Sequence, residues 1–199
     1  MIIRLTLALL MLIYLSACAG NPQQQLDAAL KLDVDHFKQH LTIEDDEFEN
    51  IVVFSTHQGL KNTSGTDEFL RGFIDKRTGI KTYQVYVSMK HRSGQWLYPY
   101  RASFGRPLIT TQTKRIGSDV DCYSRYSSCR YVEIVTFMIP EKEVLRVANN
   151  ATPADFKTSA WKFKIKTKAS EDYLGAILLP EILALIDTMN NYEPIRTRK

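Results

Sequence analysis

Strict alternation of apolar residues and lysines over residues 160–168 constrains the fold of this chain more than any other feature. Two sets of four residues alternate there: Trp161, Phe163, Ile165 and Thr167 against Lys162, Lys164, Lys166 and Lys168. A period of two places the two sets on opposite sides of a β-strand. The segment is therefore predicted to be a strand with one face on a core and one face carrying lysines.

The middle of the chain predicts an antiparallel meander. Further strands are expected at residues 51–55, 68–75, 80–90, 96–104, 108–121 and 130–139, separated by turn sequences. Strand 130–139 is mostly apolar on both sides, which predicts a central position. Five residues are expected on one face of strand 96–104: Trp96, Tyr98, Tyr100, Ala102 and Phe104. Pro99 interrupts that strand, which indicates an edge or a bulge because proline cannot donate a ladder hydrogen bond.

Three segments have helical signals. Apolar residues recur at three- and four-residue steps through residues 26–41, typical of an amphipathic helix lying on a core or on a partner. Pro140 with Glu141, and Pro180 with Glu181, each begin a helical pattern. The predicted fold is α+β, with an antiparallel sheet of about six or seven strands, an N-terminal helix and two shorter helices packed on it.

The first seventeen residues have the layout of an export signal. Arg4 is their only charge, and an apolar run over residues 5–15 leads to small residues and a cysteine. The run is about half of the ~20 apolar residues that span a bilayer, which argues against the alternative of an uncleaved anchor.

The four residues Leu15, Ser16, Ala17 and Cys18 resemble the lipobox of bacterial lipoproteins. The resemblance implies cleavage before Cys18 and a diacylglycerol on that cysteine, with a further acyl chain such as palmitate. Two or three acyl chains anchor a protein stably. Because Ala19 rather than Asp follows, the resemblance implies the outer membrane, facing the periplasm. Residues 1–17 are then a signal peptide, 18–25 a tether and 26–199 one α+β domain.

Two further cysteines, Cys122 and Cys129, are predicted to form a disulfide across a hairpin tip, because the periplasm is oxidising. Two lone cysteines make a poor metal site, so the alternative of metal ligation is weaker. The pinned loop presents Tyr123, Arg125, Tyr126 and Arg130, which we take as a candidate binding surface.

Charge is distributed unevenly. Residues 26–50 hold eight acidic and two basic side chains, a net of −6, whereas residues 51–199 hold 23 basic and 14 acidic, a net of +9. The basic part suits an anionic lipid, an anionic envelope polymer or an acidic protein, while a periplasmic address argues against nucleic acid. The lysine row is either such an anion-binding surface or a solvated or edge strand that lysines protect from aggregation; it consists of Lys162, Lys164, Lys166 and Lys168.

The sequence contains none of the common catalytic or nucleotide-binding motifs. His36 and His40, with Asp33, have a spacing that suits a metal but lack further ligands. We therefore predict no metal, no cofactor and no catalytic residue. Aromatic and arginine side chains crowd residues 83–131, either as sheet packing or as a binding surface: Tyr83, Tyr86, Trp96, Tyr98, Tyr100, Tyr123, Tyr126 and Tyr131, with Arg92, Arg101, Arg106, Arg115, Arg125 and Arg130.

Three functions fit these observations. The first is a non-catalytic envelope lipoprotein that binds a partner through its basic and aromatic surface. The second is a tethered hydrolase acting on an envelope polymer, which a pocket joining His57 or His91 to a buried carboxylate such as Glu133 would favour. The third is a subunit of an envelope machine, docked through the helix of residues 26–41.

Overall fold

The computed structural model describes residues 32–60, 68–122, 129–152, 159–169 and 171–194. These residues form two antiparallel sheets and three α-helices. In chain order the elements are α1 (Val34–His40), β1 (Thr42–Glu44), β2 (Ile51–Ser55), a 3-10 turn (His57–Leu60), β3 (Glu68–Asp75), β4 (Lys81–His91), β5 (Pro99–Phe104), β6 (Ile109–Gln112), β7 (Lys114–Cys122), β8 (Cys129–Ile139), α2 (Glu141–Asn149), β9 (Ala160–Thr167), β10 (Tyr173–Leu178) and α3 (Leu179–Asn190).

The two sheets share one hydrophobic core. The larger sheet has the order β1-β2-β3-β4-β8-β7, and the smaller has the order β10-β9-β5-β6. Val85 and Phe137 of the larger sheet join Phe104 and Ile165 of the smaller one in a single buried cluster. Each sheet therefore buries one face and leaves much of the other toward solvent, which explains the alternating sequence pattern.

Helix α3 covers β2 and β3 of the larger sheet. It can approach closely because Gly72 of β3 has no side chain: a Cβ there would lie 2.2 Å from Sδ of Met189. Helix α1 packs on α3, and its Phe37 is fully buried. Within the described residues, Phe37 lies in a second, smaller buried cluster with Phe69 and Ala184, so the apolar side of this helix packs inside the protein, one of its two predicted positions. The predicted continuous helix over residues 26–41 is wrong, because Asp33 is the N-cap of α1. Leu26 and Leu30 lie outside the described residues.

The α+β class is confirmed, but the predicted single sheet of about six or seven strands is wrong. Residues 108–121 split at Thr113, because β6 pairs with β5 in the smaller sheet and β7 pairs with β8 in the larger. β1 and β10 were not predicted. The structure confirms the disulfide between Cys122 and Cys129 and the central position of β8.

The prediction that five residues share one face of strand 96–104 is wrong. The strand begins at Pro99, and its pairing register with β9 shifts between Pro99 and Arg101, so the expected bulge is present. The bulge turns Tyr100 outward, at 43% exposure, while Ala102 and Phe104 stay buried. Tyr98 precedes the strand and is also exposed, with a positive φ of 52°.

Strand β9 has the predicted alternation, with Trp161, Phe163, Ile165 and Thr167 buried. It lies between β10 and β5, so an edge strand is wrong, whereas the solvated alternative agrees with the exposure of Lys162 and Lys164. In the described part of the chain no helix is both long enough and apolar enough to cross a bilayer.

Candidate functional site

A buried carboxylate organises one end of the two-sheet core. Glu133 of β8 is fully buried, and its Oε2 accepts the backbone N–H of Leu97 at 2.7 Å. Its Oε1 accepts the N–H of Tyr98 at 3.2 Å and lies 3.4 Å from Nη1 of Arg115 on β7. A carboxylate is stable without water only when such donors surround it, so Glu133 fixes the segment that connects β4 to β5.

Tyr98 occupies a backbone conformation that costs an L-residue energy. Its φ of 52° lies in the left-handed region, where side chains other than those of Gly, Asn and Asp are uncommon. Two contacts hold the backbone there: Glu133 accepts the Tyr98 N–H, and the Tyr98 carbonyl accepts the N–H of Lys168 at 3.2 Å. Strain maintained in this way is common at functional sites.

His91, the last residue of β4, connects Glu133 to the surface. Its Nε2 lies 3.5 Å from Oε2 of Glu133, and its Nδ1 lies 2.8 Å from Oγ of Ser93. The Ser93 hydroxyl is also within 2.9 Å of the Gln95 carbonyl. A hydroxyl has one proton, so while Ser93 donates to the Gln95 carbonyl its oxygen accepts from the Nδ1–H of His91.

Aromatic rings and a guanidinium surround this carboxylate. The ring of Tyr131 stacks on His91 with 5.5 Å between centroids and packs T-shaped against Trp96 with 4.9 Å between centroids. The Arg115 guanidinium lies 5.9 Å from the centroid of Trp96 and 5.4 Å from that of Tyr98. These are cation–π distances, and they fix the side chains relative to one another before any ligand arrives.

Three of these rings, those of Trp96, Tyr98 and Tyr131, border an open cavity of about 430 Å³, which we call the aromatic groove. Its lining is Gly94, Gln95, Trp96, Tyr98, Tyr131, Lys168 and Ala169. The Tyr131 hydroxyl donates to the Gly94 carbonyl at 3.1 Å and so closes one end of the groove. Lys168 is the charged residue of this lining, while Arg115 lies against the rings of Trp96 and Tyr98 and is paired with Glu133.

Of the residues predicted as a binding surface, the structure brings Lys168 alone into this groove. Lys162, Lys164 and Lys166 lie on the outer face of the smaller sheet, and Lys166 pairs with Asp172 at 2.6 Å. Arg130 is exposed and lies 3.3 Å from Asp121. Tyr123, Arg125 and Tyr126 lie outside the described residues.

The histidines of α1 use their ring nitrogens on the backbone. Nε2 of His36 lies 2.8 Å from the Gly59 carbonyl, and Nδ1 of His40 lies 2.8 Å from the His36 carbonyl. His57 is exposed and its ring packs on Phe69. No group of three or more histidine, cysteine or acidic side chains is arranged as metal ligands would be, as far as the structure describes the chain.

Most of the residues in and around the groove were singled out from the sequence, but it was not predicted that they lie together. Trp96, Tyr98, Tyr131 and Arg115 belong to the aromatic and arginine set, and His91 and Glu133 were paired only as a condition for catalysis. Glu133 lies 36 residues from Leu97, its nearest donor. A charged residue at an inward position of an otherwise apolar strand is the one signal that could have indicated the site.

Comparison of the chain with models of protein families, with curated proteins and with solved structures found no match.

Proposed function

We propose that this protein is an envelope lipoprotein, anchored to the outer membrane through Cys18, that binds an acidic glycan in the aromatic groove. The observation that carries the binding proposal is the convergence of Trp96, Tyr98 and Tyr131 with Lys168 around one cavity, with the Arg115 guanidinium against two of these rings. The lipobox resemblance and the export signal support the location.

The composition of the groove favours a sugar ring over other small ligands. Aromatic side chains offer flat apolar surfaces with polar edges, which suit the apolar face of a pyranose. The volume of about 430 Å³ lies at the lower end of the usual range of ligand sites, which is roughly 300–1,000 Å³. One or two sugar units therefore fit.

The two cations favour an acidic sugar. Lys168 lines the groove, and Arg115 spans the rings of Trp96 and Tyr98 while it also faces Glu133. A carboxylate on the ligand would receive charge-assisted hydrogen bonds from these donors. Peptidoglycan and other envelope polymers carry carboxylates, so the proposed location and the proposed ligand agree.

The proposal is tested by calorimetric titration of the Cys18→Ser mature chain with N-acetylglucosaminyl-N-acetylmuramic acid and with its methyl ester. We expect the acid to bind and the ester to bind about ten-fold more weakly, since the ester lacks the charge. Tyr98→Asn removes a groove ring while it keeps a residue that tolerates positive φ. Tyr100→Asn is the matched control, because Tyr100 is equally exposed and does not line the groove.

Two results would overturn the binding proposal. One is equal affinity for the acid and its ester. The other is an equal loss in the Tyr98→Asn and Tyr100→Asn variants, which would mean that the groove does not bind the ligand.

A second candidate is ester hydrolysis beside the groove, favoured by the series Ser93, His91 and Glu133, in which the Ser93 hydroxyl would first turn from the Gln95 carbonyl to His91. Oγ of Ser93 would attack an ester carbonyl, its proton would pass to Nδ1 of His91, and the departing sugar hydroxyl would take that proton. Water would then release the acyl group by the reverse proton path. Hydrolysis of O-acetylated muramic acid that Ser93→Ala abolishes and Ser118→Ala retains would support this candidate; no hydrolysis by the unaltered chain would exclude it.

A further inference from the structure

The outer face of the smaller sheet carries a second charged surface, separate from the aromatic groove. Arg101 of β5 pairs in register with Lys166 of β9, and Lys164 pairs with Leu174 of β10. Residues directly opposite in an antiparallel pair point to the same side of the sheet. We call Arg101, Lys162, Lys164, Lys166 and Leu174 the basic face.

This face carries more positive charge than its acidic neighbour offsets. Asp172 pairs with Lys166 at 2.6 Å and lies 3.8 Å from Lys164. The hydrogen bond from Lys166 lowers the pKa of the Asp172 carboxyl, so that one carboxylate is ionised near four cations. Alternate residues on a strand are about 7 Å apart, which is within a Debye length of ~8 Å at physiological salt. The cations therefore act together on a nearby anion.

Leu174 gives the face an apolar element. Its side chain is 73% exposed and lies beside Lys164 across the strand pair. Leu174 is one of several exposed apolar side chains of the protein, and it is the one that lies among these lysines. The combination of spaced lysines and an exposed leucine is the one that peripheral membrane surfaces use, with the cations at the headgroups and the apolar side chain at the acyl boundary.

We propose that the basic face docks on a bilayer that contains anionic phospholipid. The acidic segment of residues 44–49 leads from the end of β1 to β2 in the larger sheet, whereas the basic face belongs to the smaller sheet. Approach to an anionic surface is thus favoured through the basic face and opposed through the acidic side. The docking is additional to the Cys18 anchor and involves none of the side chains that line the groove.

A bilayer fits the face better than a soluble polyanion does. Arg101, Lys164 and Lys166 are spread over the open surface of two paired strands, which matches mobile headgroups in a plane, while Lys162 also borders a cavity of about 450 Å³. Leu174 contributes to binding only where the partner has an apolar interior. A substitution of Leu174 should therefore weaken binding to a bilayer and leave binding to a soluble polyanion unchanged.

The test uses the mature chain with Cys18→Ser, which removes the acyl anchor and leaves the face as the membrane contact. Sedimentation is measured with vesicles of phosphatidylcholine alone and with vesicles that also contain phosphatidylglycerol. We expect binding that requires phosphatidylglycerol and weakens as salt is raised.

Matched variants identify the surface. The triple change Lys162→Gln, Lys164→Gln and Lys166→Gln should lower the vesicle partition coefficient about ten-fold or more. Lys90→Gln, Lys114→Gln and Lys142→Gln remove the same charge from other elements and should lower it by no more than about two-fold. Leu174→Ser should lower it about three-fold or more without altering the salt dependence. Thermal unfolding checks that each variant is folded.

Three outcomes would overturn the proposal: no preference for phosphatidylglycerol, equal losses in the two lysine triples, or full vesicle binding by Leu174→Ser. Binding to soluble heparin without binding to vesicles would assign the face to a polyanion instead. Because Tyr98→Asn should leave vesicle binding unchanged, failure here is distinguishable from failure of the glycan proposal.

Discussion

The carboxylate of Glu133 accepts the backbone N–H of Leu97, a residue 36 positions earlier in the chain, at 2.7 Å inside the core. The same carboxylate accepts from Tyr98, whose ring borders the aromatic groove. One buried charge on β8 thereby positions a surface segment between β4 and β5. The groove depends on the packing of the core beneath it.

Removal of that carboxylate should destabilise the domain strongly. Glu133→Ala leaves the N–H groups of Leu97 and Tyr98 and the guanidinium of Arg115 without their acceptor, at a cost of about 3 kcal/mol. Glu133→Gln keeps one acceptor oxygen and should cost less. Urea unfolding at pH 7 measures both variants, and a loss below about 1 kcal/mol for Glu133→Ala would contradict the structural role.

The backbone of Tyr98 should prefer glycine to alanine. At a φ of 52° an L-residue carries strain of roughly 1 kcal/mol that glycine does not. Tyr98→Gly should therefore be more stable than Tyr98→Ala by about that amount, the reverse of the order at an ordinary extended position. Equal stabilities in denaturant unfolding would mean that the backbone at Tyr98 is not left-handed in solution.

Glu181, near the start of α3, should make stability fall as pH rises. Its side chain is buried, its Oε1 accepts from Thr56 at 2.5 Å and from the Leu70 N–H at 2.9 Å, and burial raises its pKa to about 7. The folded state thus holds a proton that the unfolded state loses near pH 4.5. Between these two values unfolding releases a proton, so stability decreases with pH by up to about 3 kcal/mol and levels off above pH 7.

Glu181→Gln is the neutral control for this effect. The glutamine variant should be close to the unaltered chain in stability at pH 4.5 and more stable at pH 8, because it has no charge to bury. Unfolding free energies across the pH range, compared between the two chains, isolate this group from the others that titrate. Parallel pH profiles would contradict the assignment.

Reduction of the bond between Cys122 and Cys129 should weaken the domain without unfolding it. The loop it closes is short, which gives about 2.5 kcal/mol on a chain-entropy estimate. The β7–β8 hairpin has ladder pairs from Lys114 and Thr136 onward, so the strands should persist. Unfolding with and without reductant, against Cys122→Ser with Cys129→Ser, measures the difference, and global unfolding on reduction would contradict this expectation.

The sequence pattern predicted the strands in which buried and exposed residues alternate regularly. In β9 Ile165 is buried and Lys166 faces outward, as the alternation requires. In β4 every second residue from Tyr83 to Met89 is buried. The sequence pattern did not predict the break at Thr113. A continuous strand-like sequence passes from one sheet to the other there, and the residue type gives no sign of the change. β10 was missed because Gly175 interrupts its pattern, although that glycine is required by the close approach of Phe163.

The site was less accessible to sequence reasoning than the fold. Each groove residue could be singled out by type, but the left-handed backbone of Tyr98 follows from contacts with Glu133 and Lys168, which are distant in sequence. Lys162, Lys164 and Lys166 were predicted correctly as one face of a strand, but β9 ends at Thr167 and Lys168 lines the groove instead. The neighbours of this face, Arg101 and Leu174, became visible only through the pairing of three strands.

The two tryptophans offer the most direct measurement of the central claim, binding of an acidic glycan in the aromatic groove. Trp96 lines the groove, whereas Trp161 is buried and donates its indole N–H to Glu143 at 3.1 Å. Titration of ¹⁵N-labelled protein with N-acetylglucosaminyl-N-acetylmuramic acid should shift the Trp96 indole resonance in a saturable manner and leave that of Trp161 in place. No shift of Trp96 at saturating disaccharide, or equal shifts of both indoles, would contradict the proposal.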